Sequence, residues 1–413
     1  MEEQTNRTIL MVALEFPPCQ SAGVQRTLKF AEYLAELGWQ VIVLTVDESV
    51  YVVKDQQISI PENIKVYRCH AYDSAIDFSV KGKYFAWSKV PDRWWTWAIK
   101  AIPLGKKLIE KYQPDIIWST YPVSTAHFIA YKLQQFSKRP WIADYRDPLQ
   151  CRYDNKVLKY SYIAKWIEKK TILHCSKAVF TTERAAQLYR RLYPDEQLTK
   201  FNVIENGFDE ANFNDLPKLP DIENSRFTLL HSGAVYSQGR DPKALFEAIH
   251  LLKNEGIVDS SNFTLIFRGA ASNHVIKSQI LQLKIEDLIE CKPSIPYKES
   301  LAEMKSASVL VLIQGELFNN QIPGKAYEYI RANRPILALT PKTSATGELY
   351  RNYALSRTED NADLIKQAIK IFIENRDEYV DKPDVNMYSR QQKALELGTL
   401  LNELCLNSVK IIN

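Results

Sequence analysis

The chain has 413 residues and a mass of 47.7 kDa, with 46% hydrophobic and 25% charged residues and a formal net charge of +4. It exceeds the ~250–300 residues at which a single core stops growing, so two domains are predicted. The composition excludes a disordered chain, and a charge this small for the size argues against nucleic-acid binding.

The cysteines, Cys19, Cys69, Cys151, Cys175, Cys291 and Cys405, are scattered, with no C-x-x-C pair and no metal-ligand cluster with histidine. This predicts a reduced, cytoplasmic compartment and no metal site. The acidic N-terminus has its apolar run broken by Glu15, Pro17 and Pro18, unlike a signal peptide, and no run reaches the ~18 apolar residues of a membrane span.

In chain order, the apolar run Thr8–Leu14 predicts a buried strand, followed by Pro17, Pro18 and the small-residue loop Ser21, Ala22, Gly23. Leu28, Ala31, Leu34, Ala35 and Leu37 recur at helical spacing and Gly38 ends the pattern, so a helix is predicted over 24–37. Val41–Val46 is the next strand, completing the opening of a doubly wound parallel sheet. Strands follow at 115–118, 140–143, 177–182 and 201–204, with a helix at 125–136. Residues 209–225, with Pro217 and Pro220 and no period, predict a linker. A second series starts at Phe227–His231 and continues at 264–268, 309–313 and 335–339. The expected organisation is an α/β chain of two Rossmann-like domains, 1–208 and 226–388, with a final helix in 389–413 that crosses back to the first. The first turn lacks G-x-G-x-x-G, which argues against a nicotinamide-dependent dehydrogenase.

Four stretches carry a family resemblance: Phe16-Pro17-Pro18 with Ser21-Ala22-Gly23; Trp141 to Pro148 (WIADYRDP); Ile204 to Asp209 (IENGFD); and Ile322 to Tyr329 (IPGKAYEY), a P-x-K-x-x-E-Y segment. Together they resemble glycosyltransferase family 4, the retaining enzymes of the GT-B fold. The resemblance implies two Rossmann-like domains facing across a cleft, with the acceptor on the first domain and a nucleotide-sugar donor on the second. It further implies a bacterial role in polysaccharide or glycoconjugate synthesis, a glycan or lipid-diphosphate-linked acceptor, and no cofactor beyond the co-substrate. In the retaining mechanism a donor phosphate oxygen takes the acceptor's proton.

The leaving diphosphate gains negative charge, so cations and helix N-termini are needed around it. Arg240 and Lys325 are the candidates for gripping it. By resemblance Glu328 accepts hydrogen bonds from the donor ribose, Tyr329 completes the segment, and Asn320 stands where the family's first Glu contacts the sugar. Asn320 also admits a reading as a helix cap. The chain departs from the family in carrying Ala234 where an Arg is usual and Arg240 where a Lys is usual. In the first domain Ala22 and Gly23 form a candidate phosphate or acceptor loop. Asp144, Arg146 and Asp147 are the candidate catalytic cluster, Arg146 occupying the place of a family His; an Asp144–Arg146 structural ion pair is the alternative. His127 reads as a surface or cap residue.

Two basic-aromatic segments stand out, 81–111 and 152–170. The first has eight basic residues against Asp92 and Glu110, with Trp87, Trp94, Trp95 and Trp97 among its aromatics; the second has six, with Tyr162 and Trp166. They predict peripheral contact with an anionic membrane on its cytoplasmic face, against the reading that the Trp residues pack on the sheet. Two rival functions stay open: a non-catalytic sugar-nucleotide-binding scaffold, and a sugar-nucleotide epimerase of the same fold.

Overall fold

The computed structural model describes residues 7–21, 23–56, 58–79, 86–148, 162–217, 226–233, 235, 240–270, 274–351, 356–359, 361–375 and 384–410. The chain forms two compact units, Met1–Asn206 with Arg390–Asn413, and Gly207–Ser389.

The first unit is a parallel sheet of β1 (Thr8–Val12), β2 (Gln40–Val46), β3 (Lys65–Cys69), β4 (Ile116–Thr120), β5 (Trp141–Tyr145), β6 (Lys177–Phe180) and β7 (Phe201–Val203), in the order β3-β2-β1-β4-β5-β6-β7. Strands covered on both faces read as unbroken apolar runs, which is why TILMV and QVIVLTV were legible. Their side chains alternate: Leu10, Val12, Ile42 and Leu44 enter one core layer, and Ile9, Met11, Val41 and Val43 the other. Register is fixed by Ile9 opposite both Val41 and Ile116. The second layer is closed by the helices Val24–Glu36 and Arg390–Lys410, with Leu28, Ala31 and Leu34 meeting Leu397, Leu400 and Leu401. The C-terminal helix therefore packs on the first unit. Gly38, at φ +87°, supplies the left-handed residue that ends the first helix.

The second unit repeats the plan with β8 (Phe227–Ser232), β9 (Phe263–Arg268), β10 (Ile289–Lys292), β11 (Val309–Ile313), β12 (Ile336–Leu339) and β13 (Ser356–Glu359), ordered β10-β9-β8-β11-β12-β13 and parallel throughout. Residues 209–217, expected as the start of a linker, belong to this unit. Glu210–Phe213 form a 3-10 turn capped by Asp209, Phe213 is buried in its core, and Arg331 pairs with Glu210. Residues 218–225 lie outside the described residues.

Each order reverses direction once, between β1 and β4 and between β8 and β11. In open parallel sheets ligands bind outside the carboxyl ends of the strands at such a reversal.

Candidate functional site

At the carboxyl ends of β1, β4 and β5 the first unit carries two ion pairs. Asp144, wholly buried, accepts from Arg26 Nη2 at 2.7 Å, from Arg26 Nε at 3.1 Å and from Thr120 Oγ1 at 2.8 Å. The same guanidinium donates to the carbonyls of Ile204 (2.9 Å) and Glu205 (2.8 Å), tying the end of β7 to β5. Both carboxylate oxygens of Asp144 are thus engaged within the first unit, which makes the residue a buried cross-link of the fold. The Asp144–Arg146 pair considered from the sequence does not form.

Arg146 instead pairs with Glu15, Nη2 to Oε2 at 2.5 Å, and its Nε donates to the carbonyl of Tyr121 at 2.5 Å. A β-carbon on Gly23 would fall 1.8 Å from Arg146 Nη1 and 1.9 Å from Glu15 Oε2, so only glycine lets this pair rest against the loop. Asp147 follows, half-buried; Ala22 lies outside the described residues.

His127 is not at the surface. It is 2% exposed, with Nδ1 2.8 Å from Ser119 Oγ and its ring 4.7 Å from that of Tyr145. Burial holds its imidazole down at about 3, so it stays neutral. The apolar pattern of the helix Ser124–Ser137, which turns this first-turn residue inward, is what the sequence reading missed.

In the second unit, Gly233 leaves β8 at φ +117°, and Lys325 Nζ lies 2.7 Å from the point its β-carbon would occupy. Lys325 stands in the first turn of the helix Gly324–Ala332, whose N-terminal N–H groups and dipole favour an anion and disfavour a cation. Burial, reinforced by the positive charge of Arg240 and opposed by Glu328, brings its ammonium down to about 7. No carboxylate pairs with it among the described residues. A half-buried cation at the positive end of a helix, beside a second cation, is an arrangement that an anionic ligand would relieve.

Arg240 lies 5.5 Å from the ring centre of Phe318. Glu328, one turn after Lys325 on the same helix, accepts from Tyr297 Oη at 2.6 Å. Tyr329, expected to bind donor, is wholly buried: its oxygen accepts from the Ser232 N–H at 2.9 Å, pinning the end of β8. Its hydroxyl is engaged within the second unit, at Ser232 N–H and the Val311 carbonyl, next to Gly233. His231 is also buried, its Nδ1 2.9 Å from the Val311 carbonyl, and burial beside Lys325 and Arg240 keeps it neutral. Asn320 is not a helix cap, since Pro323 occupies that place. It lies in a loop gathered by the buried Gln314, whose Nε2 donates to the carbonyls of Phe318 (3.1 Å) and Gln321 (2.8 Å) and to Thr346 Oγ1 (3.1 Å). Ala234 is outside the described residues. Sequence reasoning did not find Glu15, Arg26, Tyr297 or Gln314; their partners are remote in the chain and no motif marks them.

The basic-aromatic segments divide. Trp97 is wholly buried and Trp94 packs against the core, as the structural reading of 81–111 required, whereas Tyr162 and Trp166 are 64% and 43% exposed. Residues 81–85 and 152–161 lie outside the described residues. Among the described residues no helix is long and apolar enough to cross a membrane.

Two doubly wound parallel sheets in series, each with a polar cluster at the carboxyl end of its direction reversal, define the GT-B class. Residues 23–212 match the family model described as Glycosyltransferase Family 4. Solved structures agree on the fold. Sucrose-phosphate synthase from Thermosynechococcus elongatus is similar at TM-score 0.65 and 15% identity, covering 96% of this chain and 99% of that one. Anabaena Alr3699/HepE in complex with UDP and glucose is similar at 0.62 and 13%, covering 96% and 100%. A putative UDP-N-acetylglucosamine 2-epimerase from Listeria monocytogenes is similar at 0.58 and 12%, covering 95% and 94%. No curated protein matches by sequence. At such identities the likeness concerns the fold alone, which transferases and epimerases share, so the choice between them rests on the family match and the site.

Proposed function

We propose that the protein is a hexosyltransferase that moves a sugar from a nucleotide-sugar donor to a glycan or lipid-diphosphate-linked acceptor, with retention of configuration, in polysaccharide or glycoconjugate synthesis. The observation that carries this reading is the Lys325 ammonium, set against Gly233 at a helix N-terminus with no carboxylate partner among the described residues. A diphosphate fits there: its charge offsets the mutual repulsion of Lys325 and Arg240, and glycine allows it to approach the backbone. UDP or UDP-glucose is bound in structures of the similar Anabaena protein, which supports a nucleotide-sugar ligand here. Glu328 is the acceptor for the ribose hydroxyls, already oriented by Tyr297.

In the reaction so read, the acceptor hydroxyl oxygen attacks the anomeric carbon as the bond to the diphosphate breaks. Its proton passes to a phosphate oxygen, and nucleoside diphosphate leaves. Lys325 and Arg240 supply the positive charge that this leaving group requires, so the reading calls for no metal. On the first unit, Arg146, Asp147 and the Gly23 loop are the candidate acceptor-side groups.

The test is incubation with a panel of nucleotide sugars, with and without membrane glycolipid extract, in the presence of chelator. Acceptor-dependent release of nucleoside diphosphate supports the transferase. Interconversion of the donor sugar without acceptor makes the protein an epimerase, and binding without turnover makes it a scaffold.

A further inference from the structure

We infer that the adjoining helices Ser124–Ser137 and Tyr162–His174 of the first unit form a docking face for an anionic lipid surface. This deepens the lipid-linked acceptor reading, on which it rests for its purpose but not for its geometry. The inner side of Tyr162–His174 is already spent on the fold: Ala164, Ile167 and Ile172 are buried in the core. Its outer side carries Tyr162, Trp166, Lys169 and Leu173 at spacings of four, three and four, with Lys165 beside them. Tyr162, Trp166 and Leu173 are 64%, 43% and 42% exposed, so about three large apolar groups remain on a face the fold does not need.

The neighbouring helix continues the theme. The Trp166 ring stands edge-on to Tyr131, 6.4 Å between centres at 89°, and 6.2 Å from Phe128. The Lys132 ammonium lies 5.5 Å and 5.6 Å from the centres of Phe128 and Tyr131.

Charge selects the occupant. The acidic residue of Tyr162–His174, Glu168, is 5% exposed and receives the Tyr193 hydroxyl, and burial raises its carboxyl to about 7, so it offers little charge to the surface. Among the described residues of the two helices, the exposed charges on this face are those of Lys165, Lys169 and Lys132. Asp195 and Glu196 line, with Lys165, Lys169 and Leu173, a pocket of about 450 Å³, and Glu196 is paired with Lys200. Protein interfaces are depleted in lysine, whereas half-exposed Trp and Tyr among lysines match a headgroup layer with anionic phosphates.

The test is co-sedimentation of the full chain with vesicles of phosphatidylglycerol and phosphatidylcholine in equal parts, and with phosphatidylcholine alone. The expected result is binding that requires phosphatidylglycerol and weakens with salt. It falls about thirtyfold or more in Lys165→Glu/Lys169→Glu, falls in Trp166→Ala, and is nearly unchanged in Lys277→Glu/Lys305→Glu, the same charge change on the other unit. No binding by wild type, binding indifferent to phosphatidylglycerol, or equal loss in both double variants overturns the inference. Thermal melts confirm that the exposed-site variants fold. Nucleoside diphosphate binding, measured on the same samples, fails only if the donor reading fails, so the two outcomes separate.

Discussion

Lys325 Nζ lies 2.7 Å from where a β-carbon would stand on Gly233, across the turn that ends β8. The backbone at φ +117° requires glycine, and a β-carbon there would also push the ammonium from its present place. Gly233→Ala is therefore expected to cost about 1–3 kcal/mol of stability through backbone strain and, by displacing Lys325, to weaken nucleoside diphosphate binding at least tenfold. Urea unfolding and calorimetry read the two effects. An alanine variant that binds as wild type removes Gly233 from the site.

The depressed Lys325 ammonium, at about 7 against an ordinary 10.5, gives binding a pH signature. A diphosphate prefers the protonated form, so affinity should fall as pH rises above about 7, by up to about tenfold per unit, with proton uptake on binding. Stability moves the other way. Between about 7 and 10.5 the unfolded chain holds a proton that the folded chain has released, so this residue's contribution to stability rises with pH across that window. Lys325→Met should flatten both trends. Calorimetry in two buffers of different ionisation enthalpy, across about pH 6 to pH 9, measures the proton uptake.

Arg26 and Asp144 are 3% and 0% exposed, and removing one partner leaves a buried charge. Asp144→Ala should destabilise the protein by about 3–5 kcal/mol. Nucleoside diphosphate affinity should be unchanged below the unfolding temperature, because the candidate donor site belongs to the other unit. A stable Asp144→Ala variant that has lost only turnover would instead return Asp144 to the chemistry.

Gly23→Ala places a methyl group on the Arg146–Glu15 pair. The expectation is a loss of transfer of about a hundredfold, the size seen when an active-site geometry shifts by about 1 Å, with donor affinity retained. Equal weakening of donor binding would show that this loop serves the donor.

The central strands were legible because burial on both faces leaves a continuous apolar signature, as in FTLLHS and VLVLI. The edge strands Lys65–Cys69 and Ile289–Lys292 were not, since KVYRC and IECK carry the polar residues that shield an edge from further pairing. Lys325 and Glu328 were found through a motif, but their surroundings were not. The pairs Arg26–Asp144 and Glu15–Arg146 join residues 118 and 131 positions apart, and only the fold brings them together. Composition also could not sort the tryptophans: Trp97 faces the core and Trp166 the surface, a difference of helix phase against a sheet whose layers the sequence does not number.

The most direct measurement is calorimetric titration of wild type, Lys325→Ala and Glu328→Ala with a panel of nucleoside diphosphates and nucleotide sugars. Selective binding to wild type is expected, weakened about tenfold to a hundredfold in Lys325→Ala by loss of a charge-assisted contact, and weakened in Glu328→Ala with a loss of preference for the ribose-bearing ligand over inorganic diphosphate. Absence of binding by every member, or variants that bind as wild type does, would contradict the account.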